Sequence, residues 1–218
     1  MNQKLSELYQ SLYPELTTEL APFKDVSKPL LCRVPDGYTD TTVRLMVVGQ
    51  ETRGWGVAGV QDVGSLMNFY REFDLAHSRP TARRSPIWQA AHQLFNGLNP
   101  QGPERAFIWS NLVKVDQNGS RPKATVEEIV SRFGLLPREI AITRPGAVVF
   151  FTGPYYRSRL TTTFPGVSLE PAAPKISRVV HPQLPKASFH TYHPGYLRRG
   201  HWHVIDALIA LIRDDAKA

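Results

Sequence analysis

Cysteine is almost missing: the 218-residue chain carries one, Cys32. A single thiol excludes an internal disulfide framework, an iron–sulfur cluster held by several cysteines and a cysteine-based zinc knuckle. It fits a reducing cytoplasm. Long apolar runs are missing as well. Lys4, Glu7, Glu15 and Glu19 interrupt the apolar residues between Met1 and Leu20, so this stretch lacks the apolar core of a secretory signal. No run approaches the ~20 residues that cross a bilayer. Negative charge is scarce: 19 Asp and Glu face 26 Lys and Arg, for a formal net charge of +7. A small domain this basic attracts polyanions, nucleic acid first and a membrane surface second. What is present is globular. Hydrophobic residues at 42% and charged residues at 21% exclude a disordered chain. The length predicts one domain spanning residues 1–218, with a core that needs no covalent staple.

Hydrophobic patterning predicts the elements. Leu5, Leu8, Tyr9, Leu12 and Tyr13 recur at helical spacing over the first twenty residues. The continuous apolar run Val43–Val48 reads as a strand covered on both faces, and Ala106–Leu112, Ala147–Thr152 and the short Ala187–Thr191 read as three further strands. Helices are expected at Ser65–Phe73, at Trp202–Ile212, from a Ser85 cap with Pro86 at the first position, and from a Thr125 cap to about Ala141. Gly134 and Pro137 weaken the last of these or split it. Pro165 to Pro185 reads as proline-rich and irregular. Strands that alternate with helices, with no two-residue hairpin between them, predict a three-layer α/β/α sandwich around a central, mostly parallel four-stranded sheet.

In such sheets functional residues gather at the carboxyl ends of the strands. Three polar clusters lie at those ends: Gly49-Gln50-Glu51-Thr52-Arg53-Gly54, Ser110-Asn111-Leu112-Val113-Lys114, and Thr191-Tyr192-His193-Pro194-Gly195-Tyr196-Leu197-Arg198-Arg199. The topology brings a carboxylate, an amide and an imidazole to one edge, a set suited to acid–base and electrostatic chemistry.

These segments resemble the uracil-DNA glycosylase superfamily. GQETRG after a hydrophobic strand resembles its water-activating motif, written GQDPYH, GxNPG or GEAPG in different branches. FIWSNLVKV resembles the base-reading strand, and TYHPGYLRR is similar to the histidine and leucine-loop motif in its TYHPSYL form. PGAVVFFTG resembles the intervening strand, and the motifs run in family order from about Val43 to about Arg199. The resemblance implies a monofunctional DNA glycosylase that flips out a uracil or modified pyrimidine and hydrolyses its bond to deoxyribose. It implies that Glu51 activates the attacking water, Gln50 lines the pocket and Asn111 reads the base edge. His193 would stabilise the departing base, and Leu197 would fill the gap in the base stack. Beside that wedge, Tyr196, Arg198 and Arg199 would contact DNA, joined by Arg79, Arg83 and Arg84 from the basic loop HSRPTARRSP. No metal or organic cofactor is implied, since water is the nucleophile. DNA is the expected partner, and a monomer the expected state.

The chain departs from the family pattern in several ways, among them a stretch from Trp55 to Arg84 longer than most branches need. The four cysteines of the cluster-bearing branches are absent. Thr52-Arg53 replaces the Pro-Tyr whose tyrosine blocks a thymine methyl. Ile87 stands where the mismatch-type branch has its stacking phenylalanine, which leaves Phe69, Tyr70 or Trp88 as stacking candidates. The departures imply a pocket of altered shape, and the superfamily's range extends to modified cytosines of phage DNA, so defence against phage stands beside repair as a role. Two other functions compete: a non-catalytic DNA- or base-binding module on the same fold, and a hydrolase of free nucleosides, for which a wedge and phosphate-binding arginines have no use. Each residue also has a structural reading: Glu51 as a solvated loop carboxylate, Asn111 as a strand cap, His193 as a turn histidine, Leu197 as core, Cys32 as a buried inert thiol. His190, His193, His201 and His203 invite a zinc reading, but no cysteine joins them.

Overall fold

The computed structural model describes residues 1–56, 62–75 and 85–217. Five-residue β1 (Leu45–Gly49) is buried along its whole length, as is β3 (Ala147–Phe150), which a continuous apolar run requires of a strand covered on both sides. Parallel pairing joins β1 to β2 (Ile108–Asn111) on one side and to β3 on the other, and β3 to β6 (Ala187–Thr191). These are the four strands expected from the sequence.

The sheet nevertheless has six strands, in the order β2-β1-β3-β6-β5-β4. The segment read as irregular forms β4 (Ser168–Ala173) and β5 (Ile176–Val180), an antiparallel hairpin that pairs onto β6. Two features hid it. Pro171 lies in β4, the edge strand, where a missing N–H costs no central ladder bond. The turn Pro174-Lys175 uses a non-glycine residue at positive φ, 67° at Lys175, with the register shifting between Pro171 and Ala173.

Successive residues of the central strands face opposite ways, and each face collects its own apolar cluster. Met46, Val48, Val148 and Phe150 pack with α1 (Asn2–Leu20), α2 (Val63–Leu75), α4 (Ala124–Arg132), α5 (Leu135–Thr143) and α6 (Arg157–Thr163). Leu45, Val47, Val149 and Phe189 pack with α3 (Pro86–Leu98) and α8 (Val204–Lys217). The fold is therefore α/β, with helices against both faces of a mostly parallel sheet. Ser85 and Pro86 start α3 as expected, although the serine side chain makes no capping bond. Thr125 is not a cap: Lys123 holds that position, and Gly134, at φ 55°, separates α4 from α5.

Candidate functional site

In the order β2-β1-β3 the chain leaves β1 toward one side and returns on the other, so a crevice opens beyond the carboxyl end of β1. A cavity of about 500 Å³ lies there. Gln50, Glu51, Asn111 and His193 all line it, together with Ile87 and Trp88. The expected convergence of the three polar clusters on one edge is thus realised in space.

The backbone welds the first two clusters together. Leu112 N–H donates to Gly49 O at 3.0 Å and Val113 N–H to Gln50 O at 2.9 Å. Gly49 pairs with Asn111 across β1 and β2, and a Cβ on Gly49 would lie 2.4 Å from Asn111 Oδ1. Only glycine permits that approach. Asn111 is 2% exposed, and its Nδ2 has no hydrogen-bond partner among the described residues. A buried amide donor left open on a cavity wall is costly unless a ligand takes it. Gln50 is used otherwise: its Nε2 donates to Thr152 O at 2.7 Å, tying β1 to the end of β3.

Asp116, which the sequence does not single out, shapes the loop after β1. Its carboxylate accepts from Thr52 Oγ1 at 2.7 Å, Trp55 N–H at 3.2 Å and Gly119 N–H at 3.0 Å. The loop so fixed carries Glu51, half-buried, and Trp55, 6% exposed. The phenol of Tyr156 donates to Glu51 Oε2, and Arg121 Nε donates to the same phenol at 3.0 Å. Neither residue carries a local motif.

His193 follows β6 and caps the short α7 (Pro194–Leu197). Its Nδ1 accepts from Gly195 N–H at 3.0 Å. Burial lowers its pKa, and the positive charge of Arg53 lowers it further. A ring that accepts at Nδ1 and resists protonation carries its proton on Nε2 and is a neutral donor there.

Aromatic rings wall the cavity. Trp55 meets Phe69, Phe73 and Trp109 edge-on, with centroids 4.8, 5.2 and 5.3 Å apart, and Trp88 meets Trp109 at 5.2 Å. Phe69 and Trp88 were expected as stacking candidates and line the cavity; Tyr70 is buried behind, donating to Trp109 O. Trp55 and Trp109 were missed, although the two-residue period of a strand puts Trp109 on the face of Asn111.

Leu197 does not project as a wedge. It is fully buried and belongs to the cluster under α3 and α8, because the turn of α7 points it inward. Its neighbours Tyr196, Arg198 and Arg199 are exposed. Tyr196 stacks between Tyr192 and His201 in sequence of contact, at 4.7 and 5.2 Å. Arg79, Arg83 and Arg84 lie outside the described residues. Among the described residues no three His, Cys, Asp or Glu side chains form a metal-binding group, and no helix is long and apolar enough to cross a membrane. No protein-family model matches this chain, and no curated protein matches it in sequence.

Proposed function

We propose that the chain is a monofunctional DNA glycosylase of the uracil-DNA glycosylase type, acting on a flipped uracil or modified pyrimidine. One observation carries the reading: a carboxylate, an unpartnered amide donor and a neutral imidazole share one aromatic-walled cavity at the carboxyl edge of a parallel sheet. Within this reading the helices on both sheet faces make the three-layer sandwich expected of that superfamily.

The chemistry follows from the charges that develop. As the C1′–N bond breaks, the sugar becomes cationic and the base takes the electron pair. The carboxylate of Glu51 stabilises the cation and orients a water whose oxygen bonds to C1′ and whose proton passes to the carboxylate. Nε2–H of His193 donates to a carbonyl oxygen of the departing base, and Asn111 Nδ2 donates to an acceptor on its edge. The aromatic walls receive the base plane. The base is hidden in a duplex, so it must leave the stack, which costs a few kcal/mol. The exposed Arg198, Arg199 and Arg53 suit phosphate contacts.

The test is base release. The protein and a Glu51→Gln variant are incubated with DNAs carrying uracil, thymine mismatches, hypoxanthine or modified cytosines, and free base is followed by mass spectrometry. Release by the wild type alone is the expected result and names the base. Release by both removes Glu51 from its role. Folded protein that binds these DNAs and releases nothing is a binding module, and the catalytic reading then falls for every base tried.

A further inference from the structure

Glu51 lies on a loop and is half-buried, so its side chain needs a partner to hold one orientation. That partner comes from the end of β3, which none of the three polar clusters occupies. A 3-10 turn, Pro154–Tyr156, follows β3 and buries Tyr156 completely. Its phenol donates to Glu51 Oε2. Arg121 Nε donates to the phenol oxygen at 3.0 Å, so the single phenolic proton is directed at the carboxylate. The guanidinium carbons of Arg121 and Arg159 both lie 4.7 Å from the centroid of the Tyr156 ring. Arg159 is itself fixed by a two-point pair with Glu127, at 2.7 and 2.8 Å. Burial and the neighbouring Glu51 both raise the phenol's pKa, so it stays a donor at any physiological pH.

We propose that Tyr156 is a positioning residue for Glu51: its phenol, fixed by Arg121, holds one carboxylate oxygen and leaves the other to orient the attacking water. This rests on the reading of Glu51 as the water-activating carboxylate. A carboxylate that turns freely loses the near-attack geometry on which such a step depends.

The test uses Tyr156→Phe, which removes only the hydroxyl, and Arg121→Gln, which leaves the buried ring in place if the first variant folds poorly. In single-turnover assays Tyr156→Phe should release base about ten- to a hundredfold more slowly, with unchanged affinity for the substrate DNA. Arg121→Gln should slow release in the same direction, by less. The carboxyl carbon resonance of Glu51 in 13C-labelled protein, assigned by its loss in Glu51→Gln, should move in Tyr156→Phe. Wild-type rates of release overturn the proposal, as does an unmoved Glu51 resonance. If the wild type releases no base, the glycosylase reading falls and the resonance decides alone: movement keeps Tyr156 as the residue that positions Glu51, and no movement removes it.

Discussion

His193 Nδ1 takes the backbone N–H of Gly195 at 3.0 Å, so the histidine is at once the cap of a short helix and a donor facing the cavity. The two roles require the same protonation state. A proton on Nδ1 would break the cap and put two N–H groups against each other, and burial and Arg53 oppose that proton as well. The unfolded chain therefore binds a proton more readily than the folded one. Stability from this group is full above the ordinary imidazole pKa and is lost as pH falls through the lowered one. An NMR titration should find His193 as the Nε2–H tautomer at neutral pH, titrating below the ordinary imidazole range. Titration at or above that range, or a proton on Nδ1, would remove the neutral-donor role.

Gly49 should be irreplaceable for a reason unrelated to flexibility. Its missing Cβ makes room for Asn111 Oδ1, and β1 is held between β2 and β3, so neither strand can retreat. Gly49→Ala should cost about 1–3 kcal/mol, the usual penalty of overpacking. It should also turn the Asn111 amide out of the position in which we propose it reads the base. Thermal melts and base release on the same preparation check both effects. A variant with wild-type base selectivity would show that the placement of Asn111 is not what reads the base.

Tyr196 and Leu197 are adjacent but do different work. Leu197 is fully buried, and Leu197→Ala should cost about 2–5 kcal/mol of stability. Tyr196 is 38% exposed, three residues after His193. Tyr196→Ala should cost less stability, about 0.5–1.5 kcal/mol for each ring contact with Tyr192 and His201, and should weaken DNA binding. Binding isotherms at two salt concentrations separate this loss from that of Arg198→Gln, which should reduce the salt dependence. If Leu197→Ala instead keeps its stability and loses only DNA affinity, the wedge reading returns.

Those two residues show what was legible in the sequence and what was not. The central strands β1 and β3 could be read from their residues, because a strand buried between two parallel neighbours is a continuous apolar run. The ends of such strands told where Glu51, Asn111 and His193 meet. Leu197 was misplaced because its spacing after His193 does not say which way a four-residue helix turns. The β4–β5 hairpin was missed because prolines at a sheet edge look like those of a loop. Tyr156 gave no sign at all: its partner Glu51 is 105 residues away, and nothing local marks a tyrosine that will donate to a distant carboxylate. Asp116 was silent for the same reason, since its bonds run to Thr52 and Trp55.

The least expected feature under the site is an ion pair in the core. Lys114 Nζ lies 2.5 Å from Glu139 Oε2, with both side chains almost wholly buried. Ser110 Oγ donates to the same carboxylate at 3.0 Å and Tyr9 to its other oxygen at 2.8 Å. Ser110 and Lys114 flank Asn111, so the network anchors to α5 the strand end that carries the Asn111 amide. Removing one partner leaves a charge in the interior with no counter-charge, which typically costs about 3–5 kcal/mol. Lys114→Met should therefore destabilise the protein by that amount. Adding Glu139→Leu should recover part of it, although the hydroxyls of Tyr9 and Ser110 would then lack their acceptor. Urea melts of the single and double variants give the order directly. A double variant less stable than Lys114→Met alone would mean that the hydroxyl bonds to Glu139, and not the ion pair, hold this strand end in place.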